Sequence, residues 1–508
     1  MTRLPQIFAI GLIGFGILST ATAAEPVVVV SLKPLQELLA DMACFGEITQ
    51  DPKLSAALGQ LGGGQQLLGV DLTKPIRLCV SSISPKPSGV LLIPVNDSAK
   101  FQMLLGSMMK VVGTQNGLTS YRPAGTPITI LSKPGATQFA FGLDAASLSN
   151  LPETEGLPPV RTDLDVSLNL AKMPQPLKDL VLDKASHPGR RSFESTAQQR
   201  GYELGFDASL NALRHLLAEG ERLQVGFDVN SKSKTTAVYL DCQAKPNTEM
   251  AEALVSFGKM ASPFPAGIAD ASLGRINISI PLNEDLQNGM VSAFEEELRD
   301  QGTLDAAQPI VDLLRRSLLR GRLDAFLKFK SQSSGKLQLA GGMGVKDGKE
   351  LGQFFEQAVK SGGKESKVEI GVATVNGKRI DAVSGDQKLV KTFGDPTVHL
   401  SFTDDAVLFN LGPESLSHLK QSLVAAPATA TVGSAPITFQ FSFSSLIAMG
   451  EKDPRVTKLA QEVLVPGTDS VLFEVGSAQP NLLRAKIEFQ ESAMRFAVQS
   501  DKVRRGTR

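Results

Sequence analysis

The segment FGLDAASLSNL at residues 141–151 returns as FNLGPESLSHL at residues 409–419, which restricts this chain to folds that can be built twice. Other blocks recur in the same order. VVVVSLKPLQELLADM (27–42) aligns with RINISIPLNEDLQNGM (275–290), placing Ser31 on Ser279, Leu38 on Leu286 and Met42 on Met290. VNDSAKFQMLL (95–105) aligns with VKDGKELGQFF (345–355), sharing a Val-x-Asp that ends a strand and caps the helix behind it. The alternating Leu164, Val166, Leu168 and Leu170 answer Ile437, Phe439, Phe441 and Phe443. Their period of two predicts strands with one buried face. Residues 223–242 and 471–490 close each series as predicted hairpins. The offset is about 248 residues at both ends and about 270 in the middle, which predicts separate insertions near 186–216 and near 367–396.

A length of 508 residues suits two such units, each able to bury a core of its own. Repeats are expected over 25–265 and 266–503, with the junction in the Pro-, Gly- and Ala-rich stretch 262–274. Apolar spacing of i, i+3, i+4 predicts helices over 34–45, 98–111, 286–299 and 348–359. Short turns such as Asn376-Gly377, a type I′ signal, join the strands between them. The fold class that follows is α+β: two tandem homologous repeats, each a largely antiparallel sheet with amphipathic helices on one face. Gly341, Gly342 and Gly344 predict a bulge in their strand.

Residues 1–24 have the form of a signal peptide, with Arg3, an apolar run over 7–18 and small residues up to Ala24. The expected location is therefore periplasmic or secreted, with Glu25 as the mature start. No later apolar run approaches the roughly 20 residues of a spanning helix, so none is expected after signal removal. Residues 504–508 are read as a disordered basic tail. Cys44, Cys79 and Cys242 have no counterparts in the other copy, so no disulfide framework is expected; they are read as buried free thiols, with a Cys44–Cys79 bridge as the alternative open to an exported chain.

Lys plus Arg equals Asp plus Glu at 52 each, and there is no Trp, so neither a basic field nor stacking platforms point to nucleic acid. His187, His215, His399 and His418 are scattered without metal-ligand spacing, and no nucleophile elbow occurs. No catalytic, cofactor-binding or metal-ligating residue is singled out. The glycines of GVATVNGK (371–378) fit a hairpin rather than a phosphate cradle, and LGGGQ (61–65) a loop. Arg315, Arg316, Arg320 and Arg322 interleave with leucines near Glu295-Glu296-Glu297, as expected of a solvated helix end with internal ion pairs.

VVVVSLKPLQELLADM, GVDLTKP (69–75) and LIPVND (92–97) together resemble segments that recur, in this order after a signal peptide, in a large group of uncharacterised secreted bacterial proteins. The second copy departs from them, carrying GMGV (342–345) where the first has LIPV. The resemblance implies export and a duplicated α+β repeat, and brings no catalytic residues. The leading expectation is an exported, non-catalytic binding or structural component of the bacterial envelope or extracellular space, with an unidentified protein or envelope partner. The second is a periplasmic carrier of an apolar ligand such as lipid, its cavity lined by Phe439, Phe441 and Phe443. An unrecognised hydrolase is the third.

Overall fold

The computed structural model describes residues 25–50, 67–82, 88–152, 154–187, 196–260, 262, 264, 274–300, 302–331, 336–361, 368–384, 388–424, 435–450 and 453–504. The expected signal peptide, the LGGGQ loop, most of the junction 262–274 and residues 505–508 lie outside them. Arg504, assigned above to the tail, belongs instead to the last turn of the final helix.

The first half opens with β1 (Val28–Leu32) and α1 (Leu35–Thr49), then β2 (Ile76–Ser82), β3 (Ser88–Pro94) and α2 (Ser98–Met108). It continues through β4 (Met109–Gln115), β5 (Leu118–Pro123), β6 (Ile130–Pro134), β7 (Gln138–Gly142) and α3 (Ala145–Ser149). Next come β8 (Leu164–Asn169), α4 (Gln175–Ser186), α5 (Thr196–Glu219), β9 (Gly220–Asn230), β10 (Thr235–Ala244) and α6 (Glu249–Gly258). The second half runs β11 (Gly274–Pro281), α7 (Glu284–Asp300), α8 (Leu304–Leu318), β12 (Arg322–Ser331), β13 (Leu337–Gly344) and α9 (Gly348–Ser361). It goes on to β14 (Val368–Val375), β15 (Lys378–Ser384), α10 (Lys388–Phe393), β16 (Thr397–Phe402), β17 (Ala406–Leu411) and α11 (Ser415–Val424). It closes with β18 (Ile437–Ser442), α12 (Phe443–Gly450), α13 (Pro454–Val463), β19 (Ser470–Gln479), β20 (Leu482–Phe489) and α14 (Glu491–Arg504).

The chain is α+β, and its strands join one antiparallel sheet of 20 rather than two separate sheets. From its edge the order is β4, β5, β6, β7, β3, β2, β1, β8, β9, β10. β11 to β20 pair among themselves in the order β14, β15, β16, β17, β13, β12, β11, β18, β19, β20. The two series meet where β10 pairs with β20, from Thr236 opposite Phe489 to Gln243 opposite Leu482.

Local chemistry explains several of these elements. Asn376 and Gly377 turn the β14–β15 hairpin at φ 50° and 75°, and Asn116 and Gly117 turn β4–β5 at the same two values, the left-handed pair a type I′ turn requires. Residues 367–396, expected as an insertion, thus hold a hairpin that the first half also has. Asp97 caps α2 by accepting from the Lys100 N–H at 3.0 Å. Gly69, at φ 83°, lies where an added Cβ would strike the Asp97 carbonyl and the Phe101 backbone, so no other residue fits there.

Helices occupy both faces of the sheet, against the expectation of one. Directly opposed residues on neighbouring strands share a face. Phe101 and Leu105 of α2 pack with Ile76, Ile93, Phe139 and Phe141 on one face, and Leu148 of α3 packs with Cys79, Val90, Leu92 and Ala140 on the other. The expected bulge at Gly341, Gly342 and Gly344 is absent: β13 pairs with β12 and β17 without a register shift. Its glycines instead admit aromatic rings, since a Cβ on Gly342 would come within 2.6 Å of Phe326 and one on Gly341 would overlap Phe409.

Candidate functional site

Nine adjacent strands at the middle of the sheet carry an apolar face two residues wide. In one row Val30 faces Val166, then in register Val225, Leu240, Ala485, Val475, Ile437, Ile278 and Ala325. The next row runs from Leu32 through Leu164, Phe227, Val238, Ile487, Phe473, Phe439 and Ile276 to Leu327. Every member is apolar and none is fully buried. Leu164, Val225, Val238, Leu240 and Ile487, clustered around the β10–β20 seam, are between 36% and 43% exposed. Helices flank this floor. Leu168 and Leu223, beyond the first row, pack under α4 and α5; Leu483 packs under α6, and Ile280 and Leu323 under α7 and α8. At the opposite margin Phe45 of α1 meets Phe227 edge-on at 5.7 Å. The result is a trough running across the strands.

The reverse face of the same strands is polar and buried. Ser31, Asp165, Ser167, Gln224, Asp241, Thr438, Asn277, Ser279 and Asp324 are each no more than 9% exposed. Asp165 accepts four hydrogen bonds, from the backbone N–H of Arg161 (2.7 Å) and Thr162 (3.2 Å), the Thr162 hydroxyl (2.8 Å) and Gln224 Nε2 (2.9 Å). Gly226 makes room for this, because its Cβ would lie 2.8 Å from Thr162 Oγ1. Arg484 grips Asp241 through Nε and Nη2 at 2.7 and 2.6 Å, the fork geometry of a strong ion pair. Lys33 reaches Asp41 (3.2 Å), Asp163 (3.3 Å) and Asp228 (3.6 Å). Burial pushes the Asp163 carboxyl up to about 6, against the opposing pull of the Val229 N–H and Lys33. Burial also raises Tyr239, whose ring lies 5.1 Å from the Arg484 guanidinium. A polar cleft of about 120 Å³ opens among Arg161, Asp165, Asp228, Tyr239, Asp241 and Arg484. Its acids and bases are engaged with one another, which suits a structural network better than a proton-transfer site.

The two faces correct the expectation drawn from alternation. Leu164, Val166 and Leu168 do share a face, yet Asp165 and Ser167 between them are the buried residues. Phe439 and Phe441 are half-buried; Phe443 is not in the strand at all but starts α12, packing on Phe496 at 5.2 Å. Phe439 alone of the three belongs to the trough floor, its ring tilted against that of Phe473 at 5.8 Å.

The histidines stay apart. His187, just after α4, and His215 on α5 are exposed, and His418 sits 3.8 Å from Glu414. His399 Nδ1 lies 2.7 Å from the Ser415 hydroxyl, and burial lowers its pKa. Ser415 is 2% exposed. The matching serine of the repeated segment, Ser147, likewise ties its helix to the sheet through Ser88 at 2.7 Å. Both hydroxyls anchor a helix start. His215 and Glu219 on α5 and Glu249 on α6 place one ligand atom each within 4.8 Å of one another and are, among the described residues, a group that could hold a divalent cation. The β9–β10 hairpin separates them in sequence, which hides the grouping from motif spacing. Glu219 is already held by the Met250 N–H at 2.7 Å.

Arg315 and Arg316 pair with Glu295 (2.7 Å) and Glu350 (2.8 Å), Arg320 donates to the Val345 carbonyl and Arg322 pairs with Asp324, as expected of internal ion pairs. All three cysteines are free thiols; burial raises Cys79 and Cys242 to about 11, while Cys44 is half-buried. Among the described residues no helix is long and apolar enough to cross a membrane. No family model, curated protein or solved structure matches this chain.

Proposed function

We propose that this chain is an exported, non-catalytic binding protein whose trough takes an apolar ligand such as a lipid chain. One observation carries the reading: the apolar side of the central strands is the uncovered side, and the polar side is the buried one. Keeping a contiguous apolar face in water costs about 25 cal/mol per Å², and patches of this kind mark binding surfaces. The floor offers no side-chain donor or acceptor, whereas protein partners bring roughly one hydrogen bond per 100–200 Å² of interface. Its strands are paired on both sides, so no edge is open there to an added strand. These features favour hydrocarbon over protein as occupant and set the carrier reading above a purely structural role. The burial of Ser415 counts against a hydrolase.

Two copies of one α+β unit, over 25–265 and 266–503, are part of the proposal. The recurring sequence blocks, the common strand order and the paired Asn-Gly turns support it. Export rests on residues 1–24, and fits the likeness to secreted bacterial proteins.

The test is binding of a polarity-sensitive dye and its displacement by oleate. Wild type is expected to bind both; the double variant Val238→Asp with Leu240→Asp is expected to bind neither while keeping its unfolding midpoint. Dye and oleate binding that survive in a folded double variant would remove the trough from consideration.

A further inference from the structure

We infer that the trough holds two hydrocarbon chains, one on each side of the β10–β20 seam, and that it reads the chains without reading a polar head. This rests on the apolar-ligand reading above and specifies it. Nine strands at the usual spacing make the floor about 38 Å long, whereas one lipid chain occupies about 15 Å, half of a bilayer's hydrocarbon core. A single chain therefore leaves more than half of the floor in water. β10 and β20 divide the trough near its middle, with β1, β8 and β9 on one side and β19, β18, β11 and β12 on the other.

The two half-sites differ in lining. One ring, Phe227, lies among the aliphatic side chains that floor the first, while two, Phe439 and Phe473, fill part of the second, so the chains bind in two unequal steps. Head groups find no partner on this floor. The polar side chains of these strands, Asp165, Gln224, Asp241 and Asn277, point to the opposite face and are buried there. A carboxylate and a hydroxyl on the same chain must then project into water and contribute little to affinity.

Decanoate, dodecanoate and tetradecanoate, each beside the matching alcohol, serve as probes in calorimetry and native mass spectrometry of the full chain. Two equivalents per protein are expected, tightening about fourfold per added methylene. Acid and alcohol should agree within about threefold, less than a good hydrogen bond is worth. Val225→Asp is expected to remove one equivalent and Ile278→Asp the other; if either fails to fold, Val225→Ser and Ile278→Ser replace them and must weaken one step each. A single equivalent in wild type, or an acid preferred over its alcohol by more than about tenfold, overturns this inference while leaving apolar binding intact. No uptake of either series sinks the apolar-ligand reading itself.

Discussion

The two faces of the central strands use the same backbone in opposite ways. Behind β8, β9, β10 and β20, Asp165, Gln224, Asp241 and Arg484 are drawn into a network in which the carboxylates are matched by donors. In front of them, Val225, Val238, Leu240 and Ile487 are between 37% and 43% exposed. A half-buried antiparallel sheet ordinarily does the reverse, packing its apolar face and wetting its polar one. The difference separates two jobs: the polar face gives the sheet a fixed geometry, and the apolar face is left free to be covered.

If the polar face holds the sheet, breaking it should cost most. Arg484→Met leaves Asp241, whose side chain is only 6% exposed, without its forked partner. Removing one member of such a pair typically costs about 3 to 5 kcal/mol; because Arg484 is itself one-third exposed, about 3 kcal/mol is expected in urea unfolding. Pairing it with Asp241→Leu should recover much of the loss, since the carboxylate that Arg484 had gripped is then gone as well. A single-variant cost below about 1 kcal/mol would mean the face is solvated rather than held, and the contrast between the faces would collapse.

A smaller effect comes from pH. The folded-state pKa of Asp163, about 6, lies above its ordinary 3.8, so the folded protein holds this proton more tightly than the unfolded chain. Stability from this group is fully present below about pH 4 and is lost as pH rises through about 6. Wild type should lose about 2 kcal/mol relative to Asp163→Asn between pH 4 and pH 7, read from denaturant midpoints along that range. Wild type gaining stability relative to Asp163→Asn over that range would show that the Lys33 ion pair, rather than burial, governs this carboxylate.

Alternation in the sequence marked which residues share a face, and four helices and the Asn376-Gly377 turn were legible from spacing and turn chemistry. Which face lies inside was not legible. Period two carries no sign: Leu164, Val166 and Leu168 look the same whether they meet a core or water, and the outcome is set by Lys33, Gln224 and Arg484, which arrive from other segments to satisfy the aspartates. The single sheet was hidden for a related reason, because pairing of β10 with β20 joins residues more than 200 positions apart. Gly342 read as a bulge because a missing side chain does not announce the ring, here Phe326, that occupies its place. For the trough, the sequence offered Phe439, Phe441 and Phe443; the structure keeps only the first and adds Val225, Val238, Leu240 and Ile487 from strands the pattern could not place side by side.

The smallest expected effect is the most informative about the apolar face. Leu240 is 43% exposed and sits opposite Val225 and Ala485, so without ligand Leu240→Ser removes little packing and should cost about 1 kcal/mol or less. Leu148 of α3, 0% exposed, sets the scale for a true core position, where Leu→Ala costs about 2 to 5 kcal/mol. Ligand changes the comparison. A molecule bound only by the folded state, at a free concentration about 100 times its dissociation constant, stabilises wild type by about 2.7 kcal/mol, and the serine variant should gain much less because its floor is no longer continuous. Thermal unfolding of both proteins with and without oleate reads the four corners of that square. A near-additive square, in which Leu240→Ser costs the same with ligand as without, would place the ligand elsewhere and return the trough to being an unexplained exposed surface; a variant as costly as Leu148→Ala in the absence of ligand would show that this face is already covered, and that the inversion between the two faces is smaller than it looks.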